Sequence, residues 1–222
     1  MDDFNRVRES FSNYVDSKKW EKAEQLLKDY PTLVLTQDKT SHRLPLHIAV
    51  IRSAPINLIN SLLSNSAQAA CIVDAAGETP VHYLVSKQTS LELIKLFVRI
   101  SPNCLEIGNS QGLLPLHKSL EYNCSTAVIN EMIRSFPDGA NERTNDGKLA
   151  LHYACEYQAS LEIVSKLLEC NSPAAWEVHN GRLPMHYACE NKVSLETLSA
   201  LYQAYPTAAS CKGVDGKQPL HL

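Results

Sequence analysis

The stretch "GRLPMHYACE", Gly181 to Glu190, sets a proline, a histidine, a tyrosine and a cysteine close together, a combination able to ligate a metal or activate a nucleophile. The chain says nearly the same thing five more times: "HRLPLHIAV" (His42 to Val50), "GETPVHYLV" (Gly77 to Val85), "GLLPLHKSL" (Gly112 to Leu120), "GKLALHYACE" (Gly147 to Glu156) and "GKQPLHL" (Gly216 to Leu222). The histidines of these copies, His47, His82, His117, His152, His186 and His221, are 35, 35, 35, 34 and 35 residues apart. A fixed period between about 20 and 50 residues marks an array whose units cannot bury their apolar faces alone and must stack on their neighbours. The element is therefore structural before it is anything else.

Composition narrows the rest. A repeat array grows by adding units rather than by enlarging one core, so the chain reads as one elongated domain. Lysine and arginine number 21 against 24 acidic residues, which supplies no general electrostatic pull toward nucleic acid or an anionic membrane. The start, "MDDFNRVRESF", is acidic where a secretion signal is positively charged, and no apolar run approaches the length of a membrane span. Seven cysteines without a CxxC pair fit a reducing compartment. The expectation is a soluble cytoplasmic chain, with the nucleus left open, binding neither nucleic acid nor membrane.

Each repeat opens on a turn, as at Asp146-Gly147, Asn180-Gly181 and Asp215-Gly216, with Gly77 and Gly112 in the same register. After two intervening residues comes Pro-Leu-His, with proline at the first helical position, where its missing N–H costs nothing; Ala150 replaces it in one copy. Eight residues past each histidine stands Pro55, Ser90, Ser125, Ser160 or Ser194, and serine there can cap a second helix. In that helix Leu161, Val164, Leu167 and Leu168 fall at helical spacing, as do Leu91, Ile94, Leu96 and Phe97, or Leu195, Leu198 and Leu201. It ends where proline recurs, at Pro102, Pro137, Pro173 and Pro206.

Turn, helix, turn, helix and return loop, with Thr79-Pro80-Val81-His82 as its best single match, resembles the ankyrin repeat over roughly residues 38 to 222. The resemblance implies an all-α, ankyrin-like helix-turn-helix solenoid with short turns or hairpin tips between repeats. The period exceeds the usual length of about 33 residues, the loop between the helices lacks the family's glycine, and Arg43-Leu44, Leu114, Leu149, Leu183 and Gln218 stand where the family has threonine. The tetratricopeptide repeat has a similar period, but its tryptophan, leucine-glycine and tyrosine pattern is missing. Residues 1–37, with Phe4, Val7, Phe11, Tyr14 and Val15 and then Trp20, Ala23, Leu26, Leu27 and Tyr30 at helical spacing, read as an N-terminal helical cap. Repeats follow at 38–72, 73–107, 108–142, 143–176 and 177–211, and 212–222 is an incomplete sixth. No C-terminal cap is visible, which leaves self-association through that end open.

The register histidines read as buried imidazoles. Packed helices sit about 8–10 Å apart, too far for neighbours to share a zinc ion. In the family they bond to the motif threonine and to backbone, and here only Thr79 and His82 keep that pair. Cys155 and Cys189 stand where other repeats have Val50, Val85 and Leu120, so they read as small hydrophobes. His42 and His179 fall outside the register and read as exposed. There is no Gly-rich phosphate loop, HExxH, GxSxG or paired CxxC, so the expectation is a non-enzymatic chain with no catalytic, metal or cofactor residue.

Ankyrin-like stacks present their turns and the ends of their first helices on a concave side. By register those positions are Arg52, Lys87, Glu121 and Tyr122, Glu156 and Tyr157, and Glu190 and Asn191, with Lys148 and Arg182 at the turns. The glutamates could simply solvate their helices. Tyrosines repeated at equivalent helix ends favour a groove instead, since tyrosine is enriched at binding hot spots. The reading is a protein-interaction module holding a partner protein or peptide along that face. The alternative is the targeting or regulatory arm of a larger enzyme, of kinase or ubiquitin ligase type, whose catalytic part is absent here. A zinc or redox enzyme would instead carry bound metal.

Overall fold

A computed structural model of the chain describes residues 2–87 and 90–222, with residues 2–5 described by their backbone alone, so the expected packing of Phe4 lies outside it. The described residues form twelve α-helices and no strand, apart from two isolated bridges, Arg143 with Leu149 and His179 with Arg182. The all-α, helix-turn-helix solenoid class expected from the repeat is the one observed.

The chain forms two compact units, Met1–Ser110 and Gln111–Leu222. Unit 1 holds α1 (Asp2–Asp16), α2 (Trp20–Asp29), α3 (Pro45–Ile51), α4 (Ile56–Asn65), α5 (Pro80–Ser86) and α6 (Leu91–Ile100). Unit 2 holds α7 (Pro115–Glu121), α8 (Thr126–Ser135), α9 (Ala150–Glu156), α10 (Leu161–Cys170), α11 (Pro184–Glu190) and α12 (Leu195–Ala204). Within unit 1 the short first helices α3 and α5 pack on each other, as do the second helices α4 and α6, and the pair α1 and α2 begins the stack. Within unit 2, α7, α9 and α11 pack in series, and α8, α10 and α12 form the matching outer row.

Local chemistry explains the short first helices. Proline takes the first helical position in α3, α5, α7 and α11. Two places later the histidine reaches back, its Nδ1 accepting the N–H of the capping residue: Leu44 to His47 at 3.1 Å, Leu114 to His117 at 3.1 Å, Leu149 to His152 at 3.3 Å and Leu183 to His186 at 3.1 Å. Histidine thus does what glutamate does in a capping box, satisfying a backbone donor that the helix leaves unpaired. At the other end the backbone turns left-handed at Ser53, Asn123, Gln158 and Lys192. There the following N–H returns to the helix, as from Ala159 to the Ala154 carbonyl at 2.8 Å and from Val193 to Ala188 at 3.1 Å. Lys18 ends α1 in the same way, although that helix belongs to the atypical N-terminal segment.

The serines before α6, α8, α10 and α12 all occupy the capping position, but only Ser194 makes the side-chain bond, accepting from the Thr197 N–H at 3.2 Å. After each second helix the return loop is a short 3-10 helix, Ala67–Cys71, Pro102–Leu105, Pro137–Ala140, Ser172–Trp176 and Pro206–Ser210. Small or apolar residues there, such as Cys104, Ala140, Ala174 and Ala208, are buried. The core face of α10 is Ile163, Val164 and Leu167, while Leu161, expected on it, points outward, as does Leu195 of α12 at 78% exposure. The incomplete sixth repeat starts its helix only as the 3-10 turn Pro219–His221.

Neighbouring turn tips bond to one another, Ala75 N–H to the Ser41 carbonyl and Asn145 N–H to the Gln111 carbonyl, both at 2.9 Å. Gly112, at φ +74°, shows why glycine is needed beneath such a bond: a Cβ there would stand 2.8 Å from the Asn145 nitrogen. In the first repeat His42 takes the glycine's place at φ +53°. It is exposed, as expected.

Candidate partner-binding surface

His47, His82, His117 and His152 are fully buried, and His186 nearly so. In two of them the second ring nitrogen ties one repeat to the next: Nε2 of His47 donates to the Glu78 carbonyl at 3.1 Å, and Nε2 of His152 to the Glu177 carbonyl at 3.0 Å. Only His82 also meets a motif threonine, with Thr79 Oγ1 2.7 Å from its Nδ1. Burial depresses the pKa of His152 to about 3, so the ring stays neutral and keeps its acceptor nitrogen.

His179 corrects the expectation of an exposed residue, being only 6% exposed. Its Nδ1 meets the Tyr187 hydroxyl at 2.7 Å and its Nε2 lies 3.3 Å from Asp146 Oδ2, so two neighbouring turns and α11 close around it.

Burial pushes the thiols of Cys155 and Cys189 up, away from the thiolate that a nucleophile needs. Cys155 is fully buried, whereas Cys189 is only half-buried. Among the described residues no three histidine, cysteine or acidic side chains stand close enough together to hold a metal ion. None of the described helices is long and apolar enough to cross a membrane.

The residues read as a binding face lie at the ends of first helices, but their surroundings differ. In unit 1, Arg52 is exposed and pairs with Asp16 of α1 at 2.6 Å, and exposed Lys87 caps α5. In unit 2, Glu121, Glu156 and Glu190 end α7, α9 and α11, and Tyr122, Tyr157 and Asn191 follow them. Tyr122 is 41% exposed and Tyr157 half-buried, its ring stacked on Tyr153 at 6.2 Å between centroids and 9° between planes. Burial raises the pKa of the Tyr157 hydroxyl, and the negative charges of Glu156 and Glu121 act in the same direction. Asn191 turns its amide back onto the Tyr187 carbonyl at 2.9 Å.

Lys148 departs most from the sequence reading. Expected at an open turn, it is 7% exposed, paired with Glu156, with its ammonium 4.2 Å from the Tyr153 ring centre and 5.3 Å from that of Tyr187. Desolvating an ammonium is costly unless charge and ring faces replace water, and here both do. Arg182, in the same register, stays half-exposed and pairs with Glu190 at 2.6 Å. Lys148 and Arg182, both expected at the turns, are therefore each paired with a carboxylate of their own repeat.

Sequence reasoning missed one further cluster, in unit 1. Arg43 Nε meets Asp74 Oδ2 at 3.1 Å, the Tyr83 hydroxyl donates to the same oxygen at 2.6 Å, and the guanidinium carbon lies 5.4 Å from the Tyr83 ring centre. The signal was available, since Arg43 stands four residues before its histidine, as Lys148 and Arg182 do.

The family model for "Ankyrin repeats (3 copies)" matches residues 84–175 and 125–212, together more than half of the chain. No curated protein matches. Among solved structures the ankyrin repeat domain of Bcl-3, described as a unique member of the IkappaB protein family, superposes with a TM-score of 0.73 at 20% identity, covering 95% of this chain and 91% of that one. That likeness concerns the fold, and it agrees with the family model: the chain belongs to the ankyrin repeat family.

Proposed function

We propose that this chain holds a partner protein along the face made by the ends of its first helices and its turns, the concave side in the family's terms, with the row of unit 2 as the main contact. Ankyrin repeats are a general protein-interaction module, and the observation that supports this face is the exposed Tyr122 next to Glu121 and the half-buried Tyr157 next to Glu156, at the equivalent ends of α7 and α9. Tyrosine brings large contact area with little entropy to lose, which makes it a common anchor of interfaces. Lys148 holds Glu156 and lies against the rings of Tyr153 and Tyr187, and Tyr153 in turn stacks on Tyr157. Arg52 and Lys87 occupy the corresponding helix ends in unit 1.

The competing surface is the groove between α8 and α10, about 520 Å³, lined by Ala127, Ile133, Arg134, Lys166 and Cys170 among others. Its cations are already paired, Arg134 with Glu131 and Lys166 with Glu162. The test is the affinity of a captured partner for the wild type, for Tyr122→Ala with Tyr157→Ala, and for Glu162→Ala with Lys166→Ala. The tyrosine variant should bind about 30-fold or more weakly, the loss of an interface anchor. Loss of binding in the α10 variant alone would move the partner to the outer helices.

A further inference from the structure

Arg8, Arg43, Lys148 and Arg182 each stand ten residues before the left-handed residue that closes a first helix, Lys18, Ser53, Gln158 and Lys192 in turn. Where a complete repeat follows, the residue after its register histidine brings a ring to that cation. Arg43 lies 5.4 Å from the Tyr83 ring centre, and Lys148 lies 5.3 Å from that of Tyr187. Glu78 and Leu113 hold the place in the second and third repeats, where there is no cation to cover. Arg8 is the exception, because the residue after His47 is Ile48.

A cavity of about 560 Å³ lies where that ring is missing, lined by Arg8 and Ser12 of α1, by Asp38, Lys39 and Thr40 of the first turn, and by Ile48 of α3. Arg8 Nε is buried and has no hydrogen-bond partner, and among the described residues no carboxylate pairs with its guanidinium. The turn explains the missing carboxylate. Asp74 gives its Oδ2 to Arg43 Nε at 3.1 Å and to the Tyr83 hydroxyl at 2.6 Å. Asp38 instead spends both oxygens inside its own turn, Oδ1 on the N–H groups of Thr40 and Ser41 and Oδ2 on the Ser41 hydroxyl and the Arg43 N–H. Arg8 therefore lacks both of the partners that Arg43 has, and a desolvated donor left unpaired favours any ligand that restores one.

The charges around the cavity decide between a carboxylate and a ring. Arg8 and Lys39 are balanced there by Glu9 and Asp38, so no net field draws in an anion, and an added carboxylate would meet Asp38. A neutral ring face is attracted to a guanidinium without that repulsion. The volume lies within the range of about 300–1,000 Å³ usual for ligand pockets, Ile48 supplies apolar contact, and the Ser12 and Thr40 hydroxyls suit a phenol. We propose that this cavity seats a tyrosine side chain of a partner protein, its ring on the Arg8 guanidinium and its hydroxyl among Ser12, Asn13 and Thr40, as Tyr83 serves Arg43. The seat belongs to unit 1 and does not depend on the tyrosine row of unit 2.

The probe is an acetylated Gly-Tyr-Gly peptide amide titrated into the isotope-labelled full chain, with the Gly-Ala-Gly and Gly-Glu-Gly peptides beside it. Saturable amide shifts are expected for the tyrosine peptide at residues 8–13, 38–41 and 48, and none for the alanine peptide. Arg8→Met keeps the aliphatic stem and removes the guanidinium, and should weaken the tyrosine peptide about three- to tenfold, the scale of a cation–ring contact. Ile48→Tyr places a ring in the seat from within and should abolish those shifts. A thermal melt shows whether that variant is folded; if it is not, Arg8→Met gives the independent reading. No saturable binding, equal affinity in Arg8→Met, or unchanged shifts in a folded Ile48→Tyr would overturn the tyrosine seat. Tighter binding of the glutamate peptide at the same residues would overturn it as well, in favour of a carboxylate on Arg8.

Discussion

Lys148 and Glu156 flank His152 at four residues on either side, and their side chains close an ion pair against the rings of Tyr153 and Tyr187. The two ends of the pair differ in access to water, with the lysine side chain 9% exposed and the glutamate 31%. Removing either partner is therefore not equivalent. Lys148→Met leaves a carboxylate that can turn to solvent and should cost about 1–2 kcal/mol. Glu156→Gln leaves a desolvated ammonium with only ring faces for company and should cost about 2–3 kcal/mol. Urea unfolding of both variants checks the order, and a larger loss for Lys148→Met would show that Glu156 is not what holds the lysine inside.

The register histidines make stability depend on pH in a defined window. Burial lowers His47 and His186 and takes His152 to about 3, against an ordinary value of 6.5. Below pH 6.5 the unfolded chain takes up a proton that folded His152 refuses until about pH 3. Its stabilisation is thus complete above pH 6.5 and is lost as pH falls, by up to about 1.4 kcal/mol per pH unit for each such histidine. Unfolding midpoints should stay level above about pH 6.5 and drop between pH 6.5 and 4.5, and His152→Gln should flatten that slope.

Replacing the ring also removes its two bonds. His152→Ala should cost about 2–4 kcal/mol, since the Leu149 N–H and the Glu177 carbonyl lose their partner and a cavity opens. Partner binding at a temperature where the variant is still folded should be unchanged, because the ring is fully buried.

Gln158 and Lys192 hold left-handed φ values of +56° and +54° just past α9 and α11. Such a conformation strains a residue with a Cβ, and glycine relieves the strain at an entropic cost. Gln158→Gly and Lys192→Gly should each raise stability by about 0.5–1 kcal/mol, readable in thermal melts.

These cases also show where sequence reading reached and where it stopped. The histidine interval, the helix-starting prolines and the turn glycines are local and periodic, so the helix order came from them. Burial of Lys148 and His179 is neither. Lys148 and Arg182 share one register position, yet Lys148 is enclosed by Tyr153 and Tyr187 while Arg182 stays half-exposed. His179 is buried because Asp146 of the preceding turn and Tyr187 of α11 converge on it. Contacts between repeats decide such positions, and a period read along one chain does not contain them. The serine caps failed on a smaller scale, with the capping place legible and the bond left to rotamers.

The most direct measurement of the proposed binding face is site-specific photocrosslinking to a captured partner, with a benzophenone amino acid placed at Tyr157 in one protein and at Lys166 in another. Residue 157 ends the first helix of its repeat and residue 166 lies on the second. A crosslinked partner band from position 157 and none from position 166 is the expected result, and a band from position 166 alone would contradict the helix-end face.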